Sequence, residues 1–157
     1  MLSKFKKELR RKDIDPASVT KVFILTGSNN VDLILSDSTI WRFNKTMDDI
    51  SKLITFVHNW AMNASVNMLN LLPRKFRDRN VVINDINNYL HKLSHKFVYF
   101  NFVNTEVNRY LFATADGFRK DYYFTQSTDK IPDNVHLNDL GVERLGKHLK
   151  YLAHNTY

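Results

Sequence analysis

The chain has 157 residues, of which 43% are hydrophobic and 13% aromatic. This length and composition favour one folded domain over residues 1–157 with a buried core, and they exclude a disordered tail. Because the chain contains no cysteine, disulfides, thiolate metal sites and a cysteine nucleophile are excluded. The formal net charge is +7, and most of the excess lies in residues 1–12, which form either a surface for acidic partners or a solvated helix face.

The N-terminus predicts an intracellular protein, cytoplasmic or nuclear. Residues 1–12 are charged rather than apolar, so they do not resemble a signal sequence. The chain contains no apolar run of the length that a membrane span needs. We expect no cofactor and no metal, because a Gly-rich phosphate loop is absent and the helical pair His91 and His95 lacks a third ligand.

The first half of the chain predicts alternating helices and strands. Apolar residues at helical spacing predict a helix over residues 2–12, within a basic N-terminal segment of residues 1–18. The apolar run Lys21–Thr26 predicts a strand that is covered on both faces, and Gly27–Asn30 predicts a turn. The clearest helical period in the chain predicts a helix over residues 46–61.

The second half continues this alternation. The predicted elements are a strand over residues 65–72, a basic loop over Arg74–Arg79, a helix over 84–93, a strand over 97–103, an aromatic surface excursion over 104–131 and a helix over 138–153. Strands that alternate with helices of this length pair in parallel through crossover helices. We therefore predict a three-layer α/β/α sandwich with a short parallel sheet, whose chemistry lies beyond the carboxyl ends of the strands.

Three blocks of the sequence resemble those of the SGNH (GDSL-type) hydrolases, a family of esterases. Asp133–Gly141 is similar to the family's closing block, D-x-x-H-L-N-x-x-G. Gly27–Asn30 is similar to its G-x-N-D block, with Asn30 in place of the aspartate, and Leu71–Arg74 resembles the exit of its fourth strand. The resemblance covers residues 19–153 and implies a flavodoxin-like sheet whose first two strands have no counterpart in this chain.

The resemblance implies an ester or acyl hydrolase and assigns a role to each site residue. His136 is the expected general base, and Asp133 orients it and stabilises the imidazolium. Asn29 is the expected oxyanion donor, in a substrate-binding turn with Gly27 and Ser28. The family's serine block has no counterpart here, since Ser28 occupies only the variable position of the G-x-N block. We therefore expect an incomplete or inactive enzyme with an ester or acyl substrate.

A non-catalytic binding module is the alternative interpretation. It would bind nucleic acid or another acidic partner through a basic surface. Aromatic residues between basic ones, such as Phe76 here, are typical of single-strand nucleic-acid binding. The residues of this surface are Lys6, Arg10, Arg74, Lys75, Arg77 and Arg79.

The first predicted strand suggests a further interaction. Without the family's first two strands, Val22–Leu25 becomes an edge of the sheet, and it carries neither the charge nor the proline that protect natural edges. We expect this edge to pair with a second copy or another chain, or to be covered by the N-terminal helix.

Overall fold

Helices and strands alternate along most of the chain. The computed structural model describes residues 2–37, 40–74, 76–103, 113–114, 117–118 and 137–155. Its elements are α1 (Leu2–Lys12), β1 (Lys21–Ile24), α2 (Asn30–Ser36), α3 (Ile40–Trp60), β2 (Ser65–Leu69), α4 (Arg77–Ser94), β3 (Phe100–Val103), β4 (Ala113–Thr114), β5 (Gly117–Phe118) and α5 (Asp139–Asn155).

Within the described residues, the main sheet has three parallel strands in the order β1-β2-β3. Val22 pairs with Val66, which pairs in turn with Phe100. Because side chains alternate between the two faces of a strand, these three residues lie on the same face. The parallel pairing and the connecting helices confirm the predicted fold class, an α/β sandwich with a short parallel sheet.

The apolar core lies between that face and the helices α3 and α4. Two successive crossovers in the same direction place both helices on one side of a parallel sheet, because such crossovers are right-handed. Phe43 of α3 meets Tyr89 of α4 edge to face, with ring centroids 6.3 Å apart. The most buried core residues, each no more than 2% exposed, include Met47, Ile50, Ile54, Val57, Val66, Met68, Ile86, Leu90 and Phe100.

The opposite face of the sheet is polar at its centre. Asn67 is only 3% exposed, and its side-chain amide donates to the backbone oxygen of Ser65 at 3.0 Å. The side chain of Asn101 donates to the Asn67 side-chain oxygen at 3.2 Å. Helix α5 reaches this face, where Lys21 Nζ donates to the backbone oxygen of Ala153 at 2.8 Å. The sheet therefore lies between helices on both faces.

Two helices begin several residues before their predicted starts, and one helix was not predicted. Helix α3 begins at Ile40, whereas the predicted helix begins at residue 46. The apolar period does not reveal the first turn of this helix, because that turn is largely exposed: Ile40 is 76% exposed. Helix α2 buries only Val31, so it has no periodic signal. Helix α4 begins at Arg77, and much of the predicted basic loop is helical.

The strands are shorter than predicted, whereas the first helix matches. Helix α1 covers the predicted residues 2–12, and α5 differs from its prediction by one residue at the start and two at the end. Strand β2 ends at Leu69, although Leu71 remains buried beyond it. The predicted excursion contains β4 and β5, which pair antiparallel.

Strand β1 is an edge of the sheet as far as the described residues go, since it pairs there with β2 alone. Helix α1 lies against α3, where the Phe5 and Phe56 rings meet edge to face at 6.2 Å between centroids. The pairing of this edge with another chain remains a prediction. Among the described helices, none has the length and apolarity that crossing a bilayer demands.

Candidate functional site

The turn Gly27–Asn30 lies at the carboxyl end of β1. Gly27 has a φ of 102°, which residues with a side chain rarely adopt. The backbone N–H of Asn30 donates to the Gly27 oxygen at 3.0 Å, and that of Val31 donates to the Ser28 oxygen at 3.2 Å. These bonds reverse the chain directly from the strand into α2.

The side chain of Asn30 anchors the turn to α3. Its amide nitrogen donates to Thr46 Oγ1 at 3.2 Å, and Thr46 is only 3% exposed. The G-x-N-D block that this turn resembles has an aspartate at this position. An aspartate would accept a hydrogen bond here instead of donating one. Asn30 therefore has a structural partner in this chain.

Arg74 links the exit of β2 to this turn. It is only 2% exposed, although it is a charged residue. Its Nη1 donates to Asp32 Oδ2 at 2.7 Å, and its Nη2 donates to Ser28 Oγ at 3.0 Å and also to the Ser28 backbone oxygen. Two of the three blocks that resemble the SGNH hydrolases are thus joined by direct hydrogen bonds.

Asp32 forms a second ion pair, with Arg79. Arg79 Nε donates to Asp32 Oδ1 at 2.7 Å, and its guanidinium lies over the Phe76 ring at 4.8 Å from the centroid. Partial burial acts to raise the pKa of the Asp32 carboxyl, but hydrogen bonds from Arg74 and Arg79 and their positive charges outweigh it. The pKa is therefore held below its ordinary value.

Two asparagines of α4 fix the chain between β2 and α4. Leu71 N–H donates to Asn87 Oδ1 at 2.8 Å, and Arg74 N–H donates to Asn80 Oδ1 at 2.8 Å. Asn80 Nδ2 donates back to the Arg74 oxygen at 2.7 Å. Sequence reasoning missed these residues and Asp32. Only Asp32 had a signal, as the single charged residue in α2.

Asn29 is the exposed residue of the turn. It has helical dihedrals, φ −68° and ψ −18°, and precedes α2 without forming a side-chain cap hydrogen bond. Its amide can therefore donate to an oxyanion from outside. Ser28, in contrast, is partly buried, and its hydroxyl accepts from Arg74.

The expected base and its orienting carboxylate, His136 and Asp133, lie outside the described residues. The described part of their block begins at Leu137. Asn138 Oδ1 accepts from the N–H of Gly141 at 2.9 Å, which caps the first turn of α5. The asparagine and the glycine of the block thus have a local structural function in starting this helix.

Arg74 does not belong to the predicted basic surface in the structure. Arg74 is buried and paired with Asp32, so its charge is not presented to a phosphate. Arg79 is paired with the same carboxylate, and Arg77 is exposed on the first turn of α4. Lys75 lies outside the described residues.

The remaining basic residues lie at the other end of α3. Lys6 Nζ lies over the Phe56 ring at 4.6 Å from its centroid, whereas the turn contacts Thr46. A rise of about 1.5 Å per residue separates Phe56 from Thr46 by about 15 Å along α3. Lys6 and Arg10 therefore do not form one continuous surface with Arg77 and Arg79.

The fold is similar to that of a solved protein from Streptococcus pneumonia, provisionally named a platelet activating factor. The TM-score is 0.62, and the sequences are 22% identical. The match covers 85% of this chain and 59% of the other, so this chain spans about three fifths of that protein's length. The chain matches no known protein-family model and no curated protein. The likeness shows the α/β sandwich fold.

Proposed function

We propose that this chain is an SGNH hydrolase-like domain, ancestrally an ester or acyl hydrolase, with a base and an oxyanion donor but no serine in the nucleophile position. The observation that carries the proposal is the contact between Arg74 and Ser28. It joins two of the three blocks that resemble this family, although they are 46 residues apart in sequence.

The position and chemistry of the turn support the proposal. In parallel α/β sheets, ligands bind beyond the carboxyl ends of the strands, where the turn lies. The exposed amide of Asn29 can donate a hydrogen bond to the oxyanion that forms when an ester carbonyl is attacked. Hydrogen bonds of Arg74 and Asn30 hold the turn on both sides. Such restraint keeps a hydrogen-bond donor such as the Asn29 amide in a fixed orientation.

The remaining roles follow from the resemblance. His136 would take a proton from the attacking water, and Asp133 would stabilise the resulting imidazolium. With no serine in place, no acyl-enzyme forms by this route, and only a direct attack by water remains open. The domain would then be an incomplete enzyme with slow hydrolysis at most, unless a serine comes from a strand that pairs along β1.

Hydrolysis of p-nitrophenyl butyrate tests the proposal. We expect slow release of nitrophenol without a burst, and a loss of about tenfold or more in Asn29→Ala and in His136→Ala. Removal of one oxyanion donor costs roughly 10²–10³ in complete enzymes, and a site without serine retains less. Asn63→Ala is the matched control, because Asn63 is also exposed but follows the opposite end of α3. Equal rates in all four proteins would contradict the roles proposed for Asn29 and His136.

A fluorophosphonate probe tests the missing nucleophile separately. This probe forms a covalent bond with activated serines, so we expect no adduct in the intact mass of the protein. An adduct on Ser28 that His136→Ala abolishes would show a working nucleophile inside the chain. That result would overturn the claim that the site is incomplete, while leaving the family assignment standing.

A further inference from the structure

A cleft between α1 and α3 lies far from the proposed hydrolytic turn. Its volume is about 370 Å³, which falls within the range of roughly 300–1,000 Å³ that is usual for small-molecule sites. Its apolar lining consists mainly of Leu9 from α1, Phe56 and Trp60 from α3, and Ile14 from the connection to β1. Ile14 is 44% exposed, so an apolar surface remains open to a ligand.

The end of α1 shapes this cleft. Helix α1 is held against α3 by the edge-to-face contact of Phe5 with Phe56. Asp13 follows the helix with a φ of 46°, a left-handed conformation that aspartate tolerates better than most residues. The chain therefore turns sharply, and Ile14 and Pro16 line the cleft together with the last turns of α1.

The charged lining of the cleft is mainly cationic. Lys6 and Arg10 both line it, and Asp13 is the one carboxylate among the described residues of the lining. Residues four apart lie on the same side of a helix, so the two cations stand one above the other. Lys6 Nζ lies over the face of Phe56 at 4.6 Å from the ring centroid. An anionic group above the apolar lining would be attracted to both cations.

We propose that this cleft binds a small amphipathic anion, an aliphatic carboxylate of medium chain length. The two cations suit the carboxylate, and Leu9, Ile14 and Trp60 suit the aliphatic chain. Nucleic acid fits less well, because the ammonium group of Lys6 already occupies the face of Phe56 on which a base would stack. This proposal does not depend on the hydrolytic one, because the cleft shares none of its residues.

Fluorescence of Trp60 provides the test. The chain has two tryptophans, and Trp41 stands about 29 Å from Trp60 along α3 at 1.5 Å per residue. In the variant Trp41→Phe, emission therefore reports on the cleft alone. Decanoate, titrated below its micelle concentration, should change this emission saturably. Octanoate should bind more weakly, by roughly fourfold for each methylene lost.

Charge variants decide whether the cations act as proposed. In the Trp41→Phe background, the double variant Lys6→Gln, Arg10→Gln should bind decanoate about tenfold more weakly. Lys4→Gln, Lys7→Gln is the matched control, since both lysines are exposed on the same helix but do not line the cleft. Decanol, which lacks the charge, should bind the unmodified cleft about as weakly as decanoate binds the Lys6, Arg10 variant.

Three results would overturn the proposal. One is the absence of a saturable change with decanoate. Another is an equal loss of affinity in the two double variants, which would indicate a general charge effect. The third is displacement of bound decanoate by a single-stranded oligonucleotide at lower concentration, which would identify nucleic acid as the preferred ligand of this surface.

Discussion

Arg74 Nη1 lies 2.7 Å from Asp32 Oδ2, and this ion pair joins segments that are 42 residues apart in sequence. The two partners differ in environment: the Arg74 side chain is 2% exposed, whereas that of Asp32 is 48% exposed. The arginine therefore reaches the carboxylate from inside the protein, and on its way it also donates to Ser28. The turn, the strand exit and α2 are held together by this one side chain.

Arg74→Met should destabilise the protein by about 2–3 kcal/mol. The substitution leaves the Ser28 oxygens without their donor, and loss of one partner of a buried pair typically costs about 3–5 kcal/mol. We expect a cost at or below the lower end of that range, because Asp32 is half exposed and keeps its ion pair with Arg79. Urea-induced unfolding followed by circular dichroism measures the difference.

Arg79→Met is the matched control, since Arg79 binds the same carboxylate from the exposed side. Its cost should stay below about 1 kcal/mol, as for other partly exposed ion pairs. Equal costs for the two variants would show that burial of Arg74 does not strengthen its contacts.

The Asp32 ion pairs should make stability depend on acidic pH. The pKa of Asp32 is lowered in the folded protein from its ordinary value of 3.8. A lowered folded-state pKa contributes stability that is complete above the unfolded-state pKa and is lost as pH falls through the folded-state pKa. The difference in unfolding free energy between the wild type and Asp32→Asn should therefore be constant from pH 7 to about pH 5 and shrink below about pH 4. A difference that stays constant at pH 3 would contradict this role.

Gly27→Ala should destabilise the turn through its backbone. A Cβ atom at this position would lie 3.5 Å from Ile50 Cδ1, an ordinary contact, so space is not the reason. The φ of 102° is the reason, because an alanine is strained there. We expect a loss of about 1–3 kcal/mol, measured by urea unfolding. Gly146→Ala, in α5 with open space around it, should instead be neutral or stabilising.

The edge of β1 should mediate self-association. Light scattering across a concentration series should show species larger than the monomer. Leu25→Lys, which places a charge at the exit of the strand, should shift the population toward the monomer. Leu35→Lys on α2 is the control, because the two leucines have similar exposure, 40% and 37%. A monomer at every concentration would contradict this prediction.

The sequence predicts those elements whose apolar pattern reflects burial. Strand β1 is predicted from its apolar run, and helix α4 is identified by Ile86 and Leu90, which face the core. Helix α2 escapes prediction because it buries only Val31. One fully buried residue in a helix of seven leaves no apolar period to detect.

Part of the candidate site could be predicted and part could not. The turn at Gly27 follows from residue type, since glycine suits a positive φ. The burial of Arg74 could not be predicted, because it depends on Asp32, whose position beside it is fixed only by the folded sheet. Within the sequence, Arg74 belongs to a basic run and is typical of an exposed loop.

A measurement of whether His136 lies near Asn29 is the most direct test of the proposed site. Because the chain has no cysteine, a single spin label can be attached at Asn29→Cys. We predict strong paramagnetic broadening of the His136 side-chain resonances by this label. A label at Met62→Cys, an exposed position just beyond the opposite end of α3, should leave them sharp. Sharp His136 resonances with the label at position 29 would contradict a shared hydrolytic site.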